Sequence, residues 1–323
     1  MITTVLGRLV SIALTACIAL LLAPVPVNAA EKIPAACDRS CLIGVMDSYL
    51  QALVSRDRSQ LPLSATVKFT ENGQQMDIGD AHWNTITALG NYKHYVADPQ
   101  GGAVGFLGTI SESGNLHIMA TRLKVAGGAI TQVETLIYRD QSNFGGGKVL
   151  DPQQRKAIWD EDLKPEERVS RAALIAAAND YFEKIEGGNG NHPTKFDPSC
   201  NRVENGVQTT NVKDADSYIA FGCDEQLSSG RFTFDTELRD RRFTVVDEDK
   251  GVVFAHVFFD HAGDVLTWTD LKTGEVHQNS QRVLYPSAWM ITEIFKIKYG
   301  RIYEIEALLL DVPYKMRSGW EEN

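Results

Sequence analysis

The hexapeptide Thr70-Glu71-Asn72-Gly73-Gln74-Gln75 (TENGQQ) returns 133 residues later as Val203-Glu204-Asn205-Gly206-Val207-Gln208 (VENGVQ). One recurrence of Glu-Asn-Gly would mean little, but its surroundings recur as well. Upstream, residues 41–54 (CLIGVMDSYLQALV) set Leu42, Val45, Met46, Tyr49, Leu50 and Leu53 at helical spacing. Residues 171–185 (RAALIAAANDYFEKI) do the same with Leu174, Ala177, Ala178, Tyr181, Phe182 and Ile185. Tyr49 meets Tyr181 at an offset of 132. Downstream, each copy closes on Gly-x-Ile-x-x-(Val/Ile)-Glu: GAITQVET from Gly128 and GRIYEIEA from Gly300. Three landmarks in one order read as a duplicated domain.

Between the landmarks lie strands. Arg242–Val246 and Val252–Asp260 flank Asp247-Glu248-Asp249-Lys250-Gly251, a hairpin signal, and VGFLGTI with NLHIMATRLKV flank Ser111–Gly114 in the first copy. A helix followed by a run of strands predicts an α+β unit. Residues 140–169, with Gly145-Gly146-Gly147, two prolines and dense charge, read as a linker. The Gly-Gly-Gly-Lys within it lacks the spacing and the Ser/Thr of a phosphate loop. The boundaries are therefore a first domain at 37–139 and a second at 170–320.

Residues 1–29 have the layout of a secretory signal: Arg8, an apolar run from Leu9 to Leu22, then Val27-Asn28-Ala29. The run is too short for a membrane span, and no later stretch approaches the roughly 20 apolar residues one needs. A periplasmic or secreted location is expected. Cleavage leaves Cys37, Cys41, Cys200 and Cys223, an even set that in an exported chain favours disulfides over zinc. Chain order suggests Cys37–Cys41 and Cys200–Cys223, although spacing alone leaves the connectivity open. The formal net charge of −10 becomes −11 once Arg8 is removed, and no basic cluster interrupts it. Nucleic acid and anionic membrane are poor partners for such a surface.

This order of elements resembles the nuclear-transport-factor-2-like superfamily, which includes SnoaL-like cyclases, scytalone dehydratase, limonene epoxide hydrolase and ketosteroid isomerase. The chain is most similar to exported tandem members, at RRFTVVDEDKGVVFAHVFFDH (241–261) and DVPYKMRSGW (311–320). The resemblance implies two cystatin-like cones, each a curved antiparallel sheet wrapped by N-terminal helices around a pocket. It further implies that Tyr49 and Tyr181 take the place of the isomerase's oxyanion-hole tyrosine, and Glu293 that of its oxyanion-hole acid. Thr121 stands at the acid's place in the first copy. Asn72 and Asn205 stand where the isomerase keeps its general base, and an amide cannot take up a proton at neutral pH.

Glu293 shares strand parity with Ile291, Phe295 and Ile297, so it points into an apolar face, where burial raises a carboxyl pKa. Beside Tyr181 it could donate a hydrogen bond to a developing oxyanion; paired with a base such as Arg241 it would only hold the sheet. Tyr181 could equally be a core aromatic. His256, in phase with Val252, Phe254 and Phe258, is the replacement base if there is one, and otherwise a satisfied core histidine. Asp260 and His261 suit a turn at the strand end. Asp80, His82 and Trp83 could line the first pocket, or Asp80 could cap a helix. Arg239-Asp240-Arg241-Arg242 reads as a strand edge with local ion pairs, or as an anion site.

The sequence thus predicts a lyase or dehydratase that needs no cofactor and no metal. Its substrate would be a hydrophobic cyclic or aromatic molecule, of lignin-derived, polyketide or terpenoid type. Tyr181, His256 and Glu293 would be catalytic, with Asn205, Tyr49, Asn72 and Phe258 binding substrate. An isomerase of the ketosteroid-isomerase type, or a non-catalytic ligand-binding or assembly module, is the alternative, and a homo-oligomer is compatible with each of these readings.

Overall fold

The repeated Asn-Gly pairs are hairpin turns. Asn72 and Gly73 sit at φ 49° and 81°, and Asn205 and Gly206 at 45° and 80°. Positive φ at both central residues is what a two-residue type I′ connection demands, and Asn-Gly supplies it at least strain. Each turn joins a long strand to a short one: β1 (Leu63–Glu71) to β2 (Gln74–Met76), and β7 (Phe196–Glu204) to β8 (Val207–Gln208).

A computed structural model describes Met1 and residues 33–34, 36–139, 155–188, 190–215 and 218–321. The segment expected to be a secretory signal, Met1 aside, and the triple-glycine part of the linker fall outside these. Helix α1 (Arg39–Ser55) precedes β1, and β3 (Ile86–Asp98), β4 (Ala103–Glu112), β5 (Asn115–Ala126) and β6 (Ala129–Tyr138) follow β2. The second half repeats this. Helix α2 (Arg171–Ile185) precedes β7, and after β8 come a short α3 (Cys223–Leu227), β9 (Glu237–Asp247) and β10 (Val252–His261). A small hairpin, β11 (Thr267–Thr269) and β12 (Val276–Gln278), is inserted before β13 (Ser287–Lys298) and β14 (Arg301–Pro313). The six-stranded sheets have equivalent orders, β2-β1-β6-β5-β4-β3 and β8-β7-β14-β13-β10-β9. The fold is α+β with two matching halves, each sheet mixed rather than wholly antiparallel. In each, the first long strand lies parallel to the last, because the meander leaves that edge open.

The helices begin where the sequence provides caps. The Asp38 carboxylate accepts from the Cys41 amide at 2.9 Å, and the Ser170 hydroxyl from the Ala173 amide at 3.3 Å. Among the described residues no helix is long and apolar enough to cross a membrane. Both expected disulfides are present, Cys37–Cys41 and Cys200–Cys223.

All ten residues of β10 are buried, because both of its faces are covered. Val253, Ala255, Val257 and Phe259 pack toward α2, while Phe254 and Phe258 join a third core shared with the first sheet. The sheet-to-sheet contact is reciprocal. Glu134 of β6 accepts from Arg242 of β9 at 2.7 and 2.9 Å. Its counterpart Glu306 of β14 accepts from Tyr92 of β3 at 2.5 Å and pairs with His94 at 2.9 Å. Likewise Arg171, which opens α2, grips Asp98 at the end of β3, and Arg39, which opens α1, grips Asp247 at the end of β9. Equivalent residues exchange equivalent bonds, as around a two-fold axis. The closing Glu of the Gly-x-Ile-x-x-(Val/Ile)-Glu motif is thus the residue each half offers to the other. The described part of the linker binds both halves: the Trp159 ring packs at a tilt against His94, centroids 4.6 Å apart, and Glu161 accepts from Lys296 and Lys298.

Candidate active site

Equivalence of the two halves can be read from strand register. In the second sheet Ala307 of β14 faces Glu293 on one side and Glu204 on the other; in the first, Thr135 faces Thr121 and Glu71. The same framework carries two different interiors.

In the second half a cavity of about 200 Å³ opens between the sheet and its covering segments. Helix α2 delivers Tyr181 to it, β13 delivers Glu293, and β7 delivers Arg202 and Glu204. Arg202 is buried, donating to Gln226 of α3 at 2.5 Å and to Glu204. Its guanidinium lies 5.9 Å from the Tyr181 ring and 5.5 Å from Phe232. The Cys200–Cys223 bridge ties α3 to β7 on both sides of this contact. Across the cavity Asp235 is hydrogen-bonded to His261 Nε2 at 3.0 Å, and His261 Nδ1 lies 3.3 Å from the Ser287 hydroxyl. Phe234, Phe259, Trp268 and Trp289 complete apolar walls.

Burial sets the protonation states. It pushes the Glu293 carboxyl up to about 8, overcoming the opposing pull of Arg202 and of the Tyr181 hydroxyl beside it. Near neutrality Glu293 is therefore a neutral acid able to donate. Burial likewise drives the Tyr181 phenol well above its ordinary range. It raises Asp235 too, although the His261 hydrogen bond opposes the rise. Glu293 Oε2 and Asp235 Oδ2 are both buried and have no hydrogen-bond partner among the described residues. Two residues lining one cavity thus each keep a carboxyl oxygen free for a ligand. Unpaired buried oxygens are rare enough to require a reason.

Of the expected site residues, Tyr181 and Glu293 come together, and Arg202 rather than Arg241 is the cation near the acid. Arg241 is bound to Glu183 and Glu186. The other assignments require correction. His256 and Phe258 lie on the opposite face of β10, in the contact between the sheets; parity with Val252 and Phe254 identified the face but not what covers it. His256 Nδ1 is 3.1 Å from the Thr292 hydroxyl and Nε2 is 3.5 Å from Glu134. Its burial lowers it to about 3, so it stays neutral and away from the cavity. Asn205 cannot orient a substrate either. Its amide donates to the Leu309 carbonyl at 3.0 Å and accepts from the Leu309 amide at 2.9 Å. Asn72 clamps Ile137 in the same way. Asp260 and His261 are buried strand residues, not turn residues, and Asp260 pairs with Arg239 at 2.8 Å.

Around Tyr49 the interior of the first half is occupied by neighbouring side chains. His82 Nε2 sits 3.4 Å from the Tyr49 hydroxyl and the Trp83 ring packs edge-on at 5.4 Å. Thr121 bonds Thr135 at 2.7 Å where the second half has an acid. His82 Nδ1 continues to Glu71 at 2.8 Å, and Arg139 binds Glu71 at 2.8 Å. Burial would raise Glu71, but His82 and Arg139 bring it down to about 2. Asp80 occupies the N-cap position of a single 3₁₀ turn, Ala81–Asn84, without a side-chain capping bond.

Sequence reasoning missed Arg202, although the 133-residue offset places it opposite Phe69, and a cation opposite a core aromatic was a usable signal. Nothing local announced the Asp235–His261 pair, which forms across 26 residues of chain. Among the described residues no cluster of His, Cys, Asp or Glu is arranged to hold a metal.

A family model described as Domain of unknown function (DUF8021) matches residues 35–137 and 167–309, one span in each half. No curated protein matches the sequence.

Proposed function

The chain belongs to the family DUF8021, and from that premise we propose that its second half is a lyase of the dehydratase type. It would act without a cofactor on a hydrophobic cyclic or aromatic small molecule, and the first half would serve as its scaffold. The observation that carries this is the free oxygen on each of Glu293 and Asp235 in a single cavity whose walls are otherwise aromatic. In the elimination, Asp235, oriented by His261, takes a proton from carbon. The C–H electron pair becomes the new double bond and the bond to the leaving oxygen breaks. Glu293 gives that oxygen its proton, and the Tyr181 hydroxyl donates a hydrogen bond to the charge developing there. Asp235 fills the role for which the Asn-Gly turns offered no base. The same residues would run an isomerisation if Asp235 returned its proton to a second carbon.

A helix laid on a six-stranded sheet, with a cavity beneath it and an acid on an inner strand, supports a nuclear-transport-factor-2-like cone for the second half, and the equivalent strand order extends the reading to the first. Two disulfides support an exported protein.

The test is mass spectrometry of the purified protein with mixed aromatic, terpenoid and steroid substrates, scoring loss of water or formaldehyde. Once turnover is found, Glu293→Gln, Tyr181→Phe and Asp235→Asn should each lower kcat/KM about 10²- to 10⁴-fold. Unchanged kcat/KM in all three would remove the assignment.

A further inference from the structure

Among the described residues, one cation of the cavity has no ionic partner. Arg202 is bonded to Glu204, and Arg282 is paired with Asp311 at 2.6 Å. Arg231 has no ion pair and no side-chain hydrogen bond to any described residue. It lies half-buried in the cavity wall, its guanidinium 3.7 Å above the Tyr218 ring and 5.8 Å from Trp268. Stacking occupies the faces of a guanidinium and leaves its N–H groups, which radiate in the plane, free to bind. The carboxyls of the cavity do not offset this charge. Glu204 is held by Arg202, Asp235 is hydrogen-bonded to His261 and not to Arg231, and Glu293 carries its proton near neutrality.

We propose that Arg231 makes the cavity select anions, so that its ligand is an aromatic or cyclic carboxylate. The carboxylate would lie bidentate on the Arg231 fork, the ring between Trp268, Trp289 and Phe234, and the far end at Tyr181 and Glu293. This deepens the lyase reading and rests on it for the location of the site. The geometry suits a planar acid better than a cation, since the aromatic faces that could cage an ammonium already hold Arg231. A neutral ligand would leave the charge of a partly desolvated guanidinium without a counter-ion. A phosphate would match the charge but would leave the aromatic lining of the cavity unused. Arg231 would thus be a specificity-determining residue, distinct from the groups that move protons.

The test compares acids with their amides, which keep shape and lose charge. Isothermal titration calorimetry would use 4-hydroxycinnamate, benzoate and cyclohexanecarboxylate against the matching carboxamides, on the wild type, Arg231→Gln, Arg231→Lys and Glu293→Gln. Thermal unfolding would verify that each variant is folded. In the wild type the best acid should bind about tenfold to a hundredfold more tightly than its amide, the range expected of a charge-assisted pair. That ratio should fall to about one in Arg231→Gln, persist in part in Arg231→Lys, and hold in Glu293→Gln. Equal affinities in the wild type, no binding of any acid, or an unchanged ratio in Arg231→Gln would each overturn the inference. Turnover of a neutral substrate that needs Glu293 but not Arg231 would leave the lyase reading standing and remove this one. A ratio that collapses in Arg231→Gln, in a protein without turnover, would do the reverse.

Discussion

Replacing Glu293 by Gln should make the protein less sensitive to rising pH, because it removes a proton that folding captures. The carboxyl has an ordinary value of 4.5 and is lifted by burial to about 8. Below about 4.5 it is protonated whether the chain is folded or not, and its full contribution to stability is present. Between the two values the unfolded chain releases the proton while the folded chain keeps it, so stability falls as pH rises. The loss levels off only above the folded value. Each pH unit in that interval is worth about 1.4 kcal/mol, so the wild type should lose roughly 3 to 4 kcal/mol from this one group between pH 5 and pH 8. Glutamine has no proton to release. Equilibrium urea unfolding of both proteins at each pH, with disulfides intact, gives a difference from which every other titration cancels. The variant should gain on the wild type by about 3 kcal/mol from pH 5 to pH 8. An infrared band of a protonated carboxyl, present in the wild type, absent in the variant and titrating near 8, would locate the proton directly. A stability difference that stays flat within about 0.5 kcal/mol over this range would refute both the burial argument and Glu293 as a neutral donor.

The Asn205→Ala change removes a donor and an acceptor bond to Leu309 and puts alanine at φ 45°, so it should cost about 2 to 4 kcal/mol in urea unfolding, with Asn72→Ala behaving alike. Gly105→Ala would bring a methyl group to 2.8 Å from the Phe254 ring, and should destabilise by about 1 to 3 kcal/mol, with partial recovery when Phe254→Leu is added. Substituting Cys200 and Cys223 by serine opens a loop spanning 23 residues and should cost about 3 kcal/mol by thermal unfolding. The same change should weaken ligand binding in calorimetry, since α3 carries the Gln226 that holds Arg202.

The duplication was legible because turns and helix faces are local. Asn-Gly has few conformational options, and a tyrosine within an apolar helical stripe looks the same in both copies. Glu293 was legible for a related reason, since strand parity alone points it toward the α2 side. The same rule misled at His256. Alternation tells which residues share a face, but β10 has a core on each of its faces, and only the docking of the two sheets decides which one holds the cavity. The Asn assignments failed differently. The sequence located the turn correctly, but the asparagine amide is consumed by its neighbouring strand, a partner about a hundred residues away. The Asp235–His261 pair and Arg231 sit on segments without periodicity, so their meeting depended on long loops closing over the sheet.

The reciprocal exchange of Glu134 and Glu306 across the sheets carries an evolutionary consequence. In a symmetric homodimer one gene specifies both partners, so any mutation that plugs a pocket plugs it twice. Here both sides of the two-fold contact are encoded in one chain and can diverge independently. The first copy could lose its acid to Thr121 and close its interior with His82 and Trp83 while still presenting Glu134 and Tyr92 to its sister. Carrying both copies in one chain thus lets one interior change while the contact between the halves is kept. The contact residues of the two halves should accordingly vary together among relatives, while the interiors vary separately.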